Sequence, residues 1–210
     1  DHSIQIGDKC PYIEPNVIKD SIFYFEGEPI GFYLTKMPEK MCKLADLANT
    51  ELRSSNVPKS QMKRSSGLHN SEKEVLQYST IIGSIPPKPH MRRPYASRSS
   101  VHSVKTAQIF IKAMVLLAKE SEHLIEKILP KQYKAQVDLF KEVPDKWKFG
   151  ELFTSSISNY NISAPFHRDA GNIVGAVNVI ICKKFNSKGG DLNIPDYGAT
   201  IGQQDNSILV

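Results

Sequence analysis

The chain has 210 residues, enough for one domain with extensions. Apolar residues make up 40% and aromatics 9%, an ordinary globular composition, and no apolar run approaches the roughly 18 residues of a membrane-spanning helix. Net charge is +5, but the excess is local: between Arg53 and Lys105 ten basic residues face two acids, a balance of +8 that leaves −3 for the rest.

The opening stretch, Asp1-His2-Ser3-Ile4-Gln5, lacks the basic-then-apolar pattern of a secretory signal. Cys10, Cys42 and Cys182 are odd in number, widely spaced and without a CxxC pair. That argues against a disulfide framework and against a zinc site. It predicts a reducing, intracellular setting, cytoplasmic or nuclear. Cys182 reads as core rather than ligand.

The predicted elements run as follows. Residues 1–52 carry N-terminal strands and a helix. Ile18 to Phe25 and Pro29 to Thr35 form a hairpin across Glu26-Gly27-Glu28. Pro38 then starts a helix whose apolar face is Met41, Leu44, Leu47, Ala48 and Leu52. Residues 53–103 are a basic, Pro- and Ser-rich loop region, read as irregular apart from a short helical turn around Glu72 to Tyr78.

Residues 104–143 are buttressing helices. The first runs from Val104 to Leu129, with Ser103 as its cap. Its apolar stripe is Ala107, Phe110, Ile111, Met114, Leu117, Ala118, Leu124, Ile125 and Ile128. Pro130 closes it and restarts a second helix through Tyr133, Val137 and Phe140 to Val143. Residues 151–210 return to strands, one over Leu152 to Tyr160 and another over Ile173 to Cys182.

Between those two strands lies His167-Arg168-Asp169. A His and an acid two residues apart in extended backbone share a face, about 6.6 Å apart along the chain. Both can then reach one metal ion, and a third, distant His would complete the facial triad that holds non-heme Fe(II). The competing reading is a surface turn with a His–Asp hydrogen bond. His69, His90, His102 and His123 read as surface or hydrogen-bonded residues unconnected to metal.

Three stretches carry a resemblance. They are Asn159-Tyr160-Asn161, His167-Arg168-Asp169-Ala170-Gly171-Asn172, and Gly189-Gly190-Asp191-Leu192-Asn193-Ile194-Pro195-Asp196-Tyr197-Gly198. Over about the last sixty residues the chain resembles the Fe(II)/2-oxoglutarate-dependent dioxygenases of the double-stranded β-helix fold. Within them it looks most like the TET/JBP group, which oxidises the methyl of 5-methylcytosine or thymine in nucleic acid. Asp205-Asn206-Ser207-Ile208-Leu209-Val210 resembles the strand that precedes that family's distal His.

The resemblance implies an α+β fold with a jelly-roll core, buttressed by helices and truncated before its last core strands. It implies that His167 and Asp169 are the metal ligands and that 2-oxoglutarate and O2 are co-substrates. The distal His and a 2-oxoglutarate-binding Arg or Lys would lie beyond Val210, with the chain a piece of a longer protein, ending in an open sheet edge. The alternative is a truncated relative without metal.

Asn159, Tyr160 and Asn161 would reach the co-substrate or the substrate, or else be ladder residues. Asn172 would orient Asp169, touch a base or cap the turn. Arg168, alternating with its neighbours, would contact a phosphate or form a surface salt bridge.

A base in a duplex must be flipped out for such chemistry and read by stacking. The basic region has a suitable makeup for DNA: Arg64, Arg92, Arg93 and Arg98 for phosphates, and Tyr95 for stacking. The competing reading is a solvated basic loop. Two further functions stay open: a dioxygenase of a protein side chain or small molecule, and a metal-free binding module of the same fold. Oligomeric state is not legible.

Overall fold

The computed structural model describes residues 3–58, 78–87, 95–169 and 171–210. These residues form a mixed α+β arrangement of antiparallel strands and three α-helices, and the chain divides into two compact units: Asp1–Cys42 with Ser163–Val210, and Lys43–Ile162. Among the described residues none of the three sheets closes on itself. No helix among the described residues is long and apolar enough to cross a membrane.

The first unit is built on a hairpin, β1 (Ser21–Phe25) and β2 (Glu28–Leu34). Glu26 and Gly27 both have positive φ, 49° and 80°. That is the backbone of a two-residue turn whose twist matches the strands it joins. β6 (Ile180–Ile181) and β9 (Ile208–Leu209) complete a four-stranded antiparallel sheet in the order β1-β2-β9-β6. Tyr33, Ile201 and Leu209 are buried together, with Phe23 and Val17 packed against them. The Tyr33 hydroxyl donates to the Gly202 carbonyl at 2.8 Å. A separate hairpin joins β7 (Leu192–Ile194) to β8 (Ala199–Ile201).

The open edge expected at Val210 is not what the fold presents. β9 lies inside the sheet, between β2 and β6. The Val210 N–H donates to Phe32 O and Phe32 N–H to Val210 O, both at 2.9 Å.

The helix α1 (Glu39–Arg53) begins in the first unit and runs into the second. Its buried face is Met41, Cys42, Ala45, Ala48 and Leu52, a helical spacing. Leu47, expected on that face, is 43% exposed, and Ala45 takes the inward position.

The second unit centres on a strand that the sequence reading missed. β3 (Tyr78–Ile85) occupies the middle of the stretch read as irregular, and Tyr78 belongs to it rather than to a helical turn. It is the middle strand of a sheet ordered β4-β3-β5, with β4 (Ser97–Arg98) and β5 (Ser155–Tyr160) antiparallel on either side. Tyr78, Ser79, Thr80 and Ile82 are all buried. A strand covered on both faces does not alternate, and its Ser and Thr side chains hide it in a Ser-rich stretch.

The helix α2 (Gln108–Ile128) starts later than expected, because two 3-10 turns, Ser100–Ser103 and Lys105–Ala107, precede it. Ser103 is not its cap. Ala107 is, with no side-chain hydrogen bond, and the Ser103 hydroxyl donates to Ser100 O at 2.7 Å. Phe110, Ile111, Leu117 and Ile125 face inward as expected. Pro130 opens α3 (Pro130–Phe140) at its first turn, where a missing N–H costs nothing.

Two buried polar side chains on these helices hold the chain that feeds β5. Glu122 Oε1 accepts from Glu151 N–H at 2.6 Å and from Leu152 N–H at 3.1 Å. Gln136 Nε2 donates to Leu152 O at 2.8 Å. The carboxyl of Glu122 is pushed above its ordinary range, chiefly by burial.

The strand expected over Ile173 to Cys182 shrinks to Ile180–Ile181. The Ala176 N–H donates to Ile173 O at 3.1 Å, and Gly175 has φ of 83°. The apolar residues Ile173 and Val174 therefore sit in an exposed turn, Val174 being 94% exposed.

Candidate functional site

His167 and Asp169 lie in a loop of the first unit, outside any strand. Backbone ties fix the loop at Phe166: Phe166 N–H donates to Asp8 O at 2.9 Å, and Gly7 N–H donates to Phe166 O at 2.8 Å. The partner segment is itself a turn, in which the Asp8 carboxylate accepts from Gln5 N–H at 2.8 Å. Beyond the motif, Asn172 N–H donates to Asp169 O at 3.1 Å and turns the chain. Asn172 thus takes part in that turn through its backbone.

The imidazole of His167 is oriented by one hydrogen bond. Its Nδ1 lies 2.7 Å from the Pro165 carbonyl oxygen. A carbonyl only accepts, so Nδ1 carries the proton in that bond. In the neutral ring Nε2 then holds the lone pair, and it faces Asp169 Oδ1 at 3.5 Å. A backbone carbonyl on one ring nitrogen and an open lone pair on the other is how proteins orient metal-binding histidines. The two donors come closer together than extended backbone would bring them. They are also open to water: the side chains are 55% and 59% exposed. Among the described residues no group of three His, Cys, Asp or Glu converges on one point. The pair could supply two donors to a metal ion, and the described residues add no third.

Arg168 pairs with a different acid. Its Nη2 lies 3.7 Å from Asp196 Oδ2, with both side chains nearly four-fifths exposed. This is the surface salt bridge of the two options, and such a pair contributes little. Asp196 belongs to the Pro195–Tyr197 turn that joins β7 to β8, closed by Gly198 in the left-handed conformation. The preceding Gly189 and Gly190 have φ of 77° and 78°, backbone that favours glycine. Asp191, the acid after them, pairs with Lys184 at 3.7 Å. Lys183 in turn pairs with Asp205 at 2.9 Å and donates to Asn206 Oδ1 at 2.7 Å. Cys182 is half-buried, and that burial raises its thiol.

Asn159, Tyr160 and Asn161 belong to the other unit. Asn159 Oδ1 accepts from Ser79 Oγ at 2.8 Å, across the β3–β5 ladder. The Tyr160 ring stacks on Tyr78, with centroids 4.7 Å apart and planes 6° from parallel. Asn161 ends the strand with φ of 52°. The first two behave as ladder residues in this structure.

Of the nucleic-acid candidates, Arg64, Arg92 and Arg93 lie outside the described residues, as do His69 and His90. Tyr95 is 62% exposed, and Arg98 sits exposed in β4, opposite Ser84 of β3. A cavity of about 390 Å³ in the second unit is lined by Val137, Phe140, Lys141, Asp145, Lys148, Gly150 and Glu151. None of the expected site residues lines it.

The residues that place the motif, Gly7, Asp8 and Pro165, escaped the sequence reading. They act through their backbone, which leaves no signature in residue type. No family model, no curated protein and no solved structure matches the chain.

Proposed function

We propose that the chain carries part of the active site of an Fe(II)/2-oxoglutarate-dependent dioxygenase that hydroxylates a nucleobase methyl group in DNA. The observation that supports it is the His167 ring, held by Pro165 O so that its free nitrogen faces Asp169. In this reading His167 Nε2 and Asp169 Oδ1 hold the metal, and the third protein donor would be a distal His beyond Val210, not His69 or His90. Fe(II) and 2-oxoglutarate, when bound, supply oxidation of an unactivated C–H bond by O2. The chain's own part is to fix the tautomer of His167, to keep Asp169 beside it, and to tether both through Phe166.

The jelly-roll reading rests on the sheet order β1-β2-β9-β6, in which strands distant in sequence pair antiparallel. Nucleic acid as the substrate rests on the local charge of residues 53–105 and on exposed Arg98 and Tyr95. One observation favours a second reading, a metal-free binding module: the two donors face each other in water as an ordinary His–Asp pair.

The test incubates the protein that contains this chain with Fe(II), 2-oxoglutarate, O2 and 5-methylcytosine- or thymine-containing oligonucleotides. Mass spectrometry reads hydroxylated base and succinate. The proposal expects both from the wild type, neither from His167→Ala, and weaker, more salt-sensitive turnover from Arg98→Ala. Succinate formation on a peptide or small molecule, unaffected by Arg98→Ala, would move the substrate to another class. No product from any substrate would favour the metal-free module.

A further inference from the structure

The turn after β4 carries a histidine ring that accepts a hydrogen bond from the main chain. Gly83 N–H, in β3, donates to His102 Nε2 at 2.8 Å. A ring nitrogen accepts only while it is unprotonated. Gly83 has little freedom to re-aim that N–H. Its φ is 90°, and a Cβ there would lie 2.6 Å from Thr154 O and 2.8 Å from Ser155 Cα. Its carbonyl is engaged too, accepting from Ser99 N–H at 2.9 Å, and Ser84 N–H donates to Thr154 O at 2.8 Å. Ser99 also caps the turn that contains His102, accepting from Val101 N–H.

We propose that His102 is a pH-sensitive latch, holding β4 and the Arg98 it carries against β3 while the ring is neutral. Protonation turns Nε2 into a donor that faces the Gly83 donor. Burial, then Arg98, holds the ring below its ordinary titration range. Its own turn, β3 and the elements bonded to them carry these titratable or charged side chains: Arg98 on β4, Tyr78 on β3, Tyr160 on β5, Lys105 in the next turn, and Asp145 and Lys146 in the turn that Ser84 Oγ bonds through Trp147 O. Of these, Arg98 acts on the ring.

The sign follows from the lowered value. The latch contributes fully above the ordinary His value of about 6.5, and the contribution is lost as pH falls from there through the ring's own lower value. The inference does not depend on the proposed function. Where the nucleic-acid reading of Arg98 also holds, the latch regulates that surface, releasing it in acid.

Amide exchange at Gly83 and Ser99 tests it, corrected for intrinsic rates, across pH 7.5 to 5 on the whole chain. His102→Gln supplies a non-titrating acceptor at the same reach. The wild type is expected to lose protection by up to tenfold for each pH unit below about 6.5, until the ring's own value is passed. His102→Gln is expected to stay flat. Flat wild-type protection, or the same slope in His102→Gln, overturns the latch. Should His102→Gln fail to fold, the wild-type ring titration read by NMR decides: a value at or above about 6.5 overturns the proposal and a lower one supports it. Binding of oligonucleotide at both pH values, with the latch opening as expected, would separate the latch from the nucleic-acid reading.

Discussion

Two sets of polar side chains, one in each unit, are put to opposite uses. In residues 43–162, Glu122, Gln136 and Ser79 are buried and spend their hydrogen bonds on the fold itself. In the other unit His167 and Asp169 are more than half exposed and are positioned by backbone groups. Buried polar groups with partners signal structure, since leaving them unmade is costly. Exposed polar groups that are nonetheless oriented are the ones with spare bonding capacity. The comparison sets Glu122 and Gln136 in the scaffold, and the proposed function would put the chemistry in the loop.

That contrast can be broken by substitution. The largest effect is expected at Phe110, 1% exposed in the core of the second unit. Phe110→Ala should cost about 3–5 kcal/mol in denaturant unfolding. A cost below about 1 kcal/mol would mean that the helical unit is not where stability lies.

Next comes Glu122→Ala, which strips the acceptor from two N–H groups at residues 151 and 152. We expect about 1–3 kcal/mol for each donor left unsatisfied. Its pH signature sharpens the point. A carboxyl raised by burial favours the protonated folded state, so its contribution is full below the ordinary Glu value of about 4.3 and is lost as pH rises through the raised value. Glu122→Gln should remove that part of the stability–pH curve, and an unchanged curve would contradict the assignment.

A smaller effect separates scaffold from site within β5. Tyr160→Ala should lose its stacking on Tyr78, about 0.5–1.5 kcal/mol beyond the buried area, whereas Tyr160→Phe keeps it. Loss of 2-oxoglutarate affinity in Tyr160→Phe, with stability intact, would return Tyr160 to the site. The smallest change in stability is expected from His167→Ala and Asp169→Ala, within about 0.5 kcal/mol of wild type, because neither side chain is buried.

Much of the fold was legible where periodicity is local. The β1–β2 hairpin, the inward stripe of α2 and the restart of α3 at Pro130 follow from spacing and turn residues. β3 was not legible, because a strand covered on both faces and built of Tyr, Ser, Thr and Ile shows no alternation. The run Ile173 to Cys182 misled in the other direction: apolar residues suggested a strand, yet most of it turns at Gly175 in the open. Placing β9 between β2 and β6 depends on a pairing across more than 170 residues, which no window of sequence contains.

Of the candidate site, His167 and Asp169 were read as sharing a face of extended backbone, whereas they meet at 3.5 Å in a loop outside any strand. The tautomer was not legible, since it depends on the Pro165 carbonyl. Asn159 and Tyr160 were read as open between co-substrate contacts and ladder residues, and their partners on β3 could be seen only once that strand was in place. His102 was set aside as an ordinary hydrogen-bonded histidine, and its partner turned out to be the main chain of the missed strand.

The most direct measurement is an anaerobic titration of Fe(II) and 2-oxoglutarate into the protein that contains this chain, beside its His167→Ala and Asp169→Ala variants. The readout is the weak visible charge-transfer band of the chelate, with unfolding curves taken on the same samples. The account predicts a band in the wild type that vanishes in both variants while stability stays within about 0.5 kcal/mol. No band in the wild type, or variants that unfold instead of losing only the band, would contradict it and leave the His–Asp pair a structural feature of the loop.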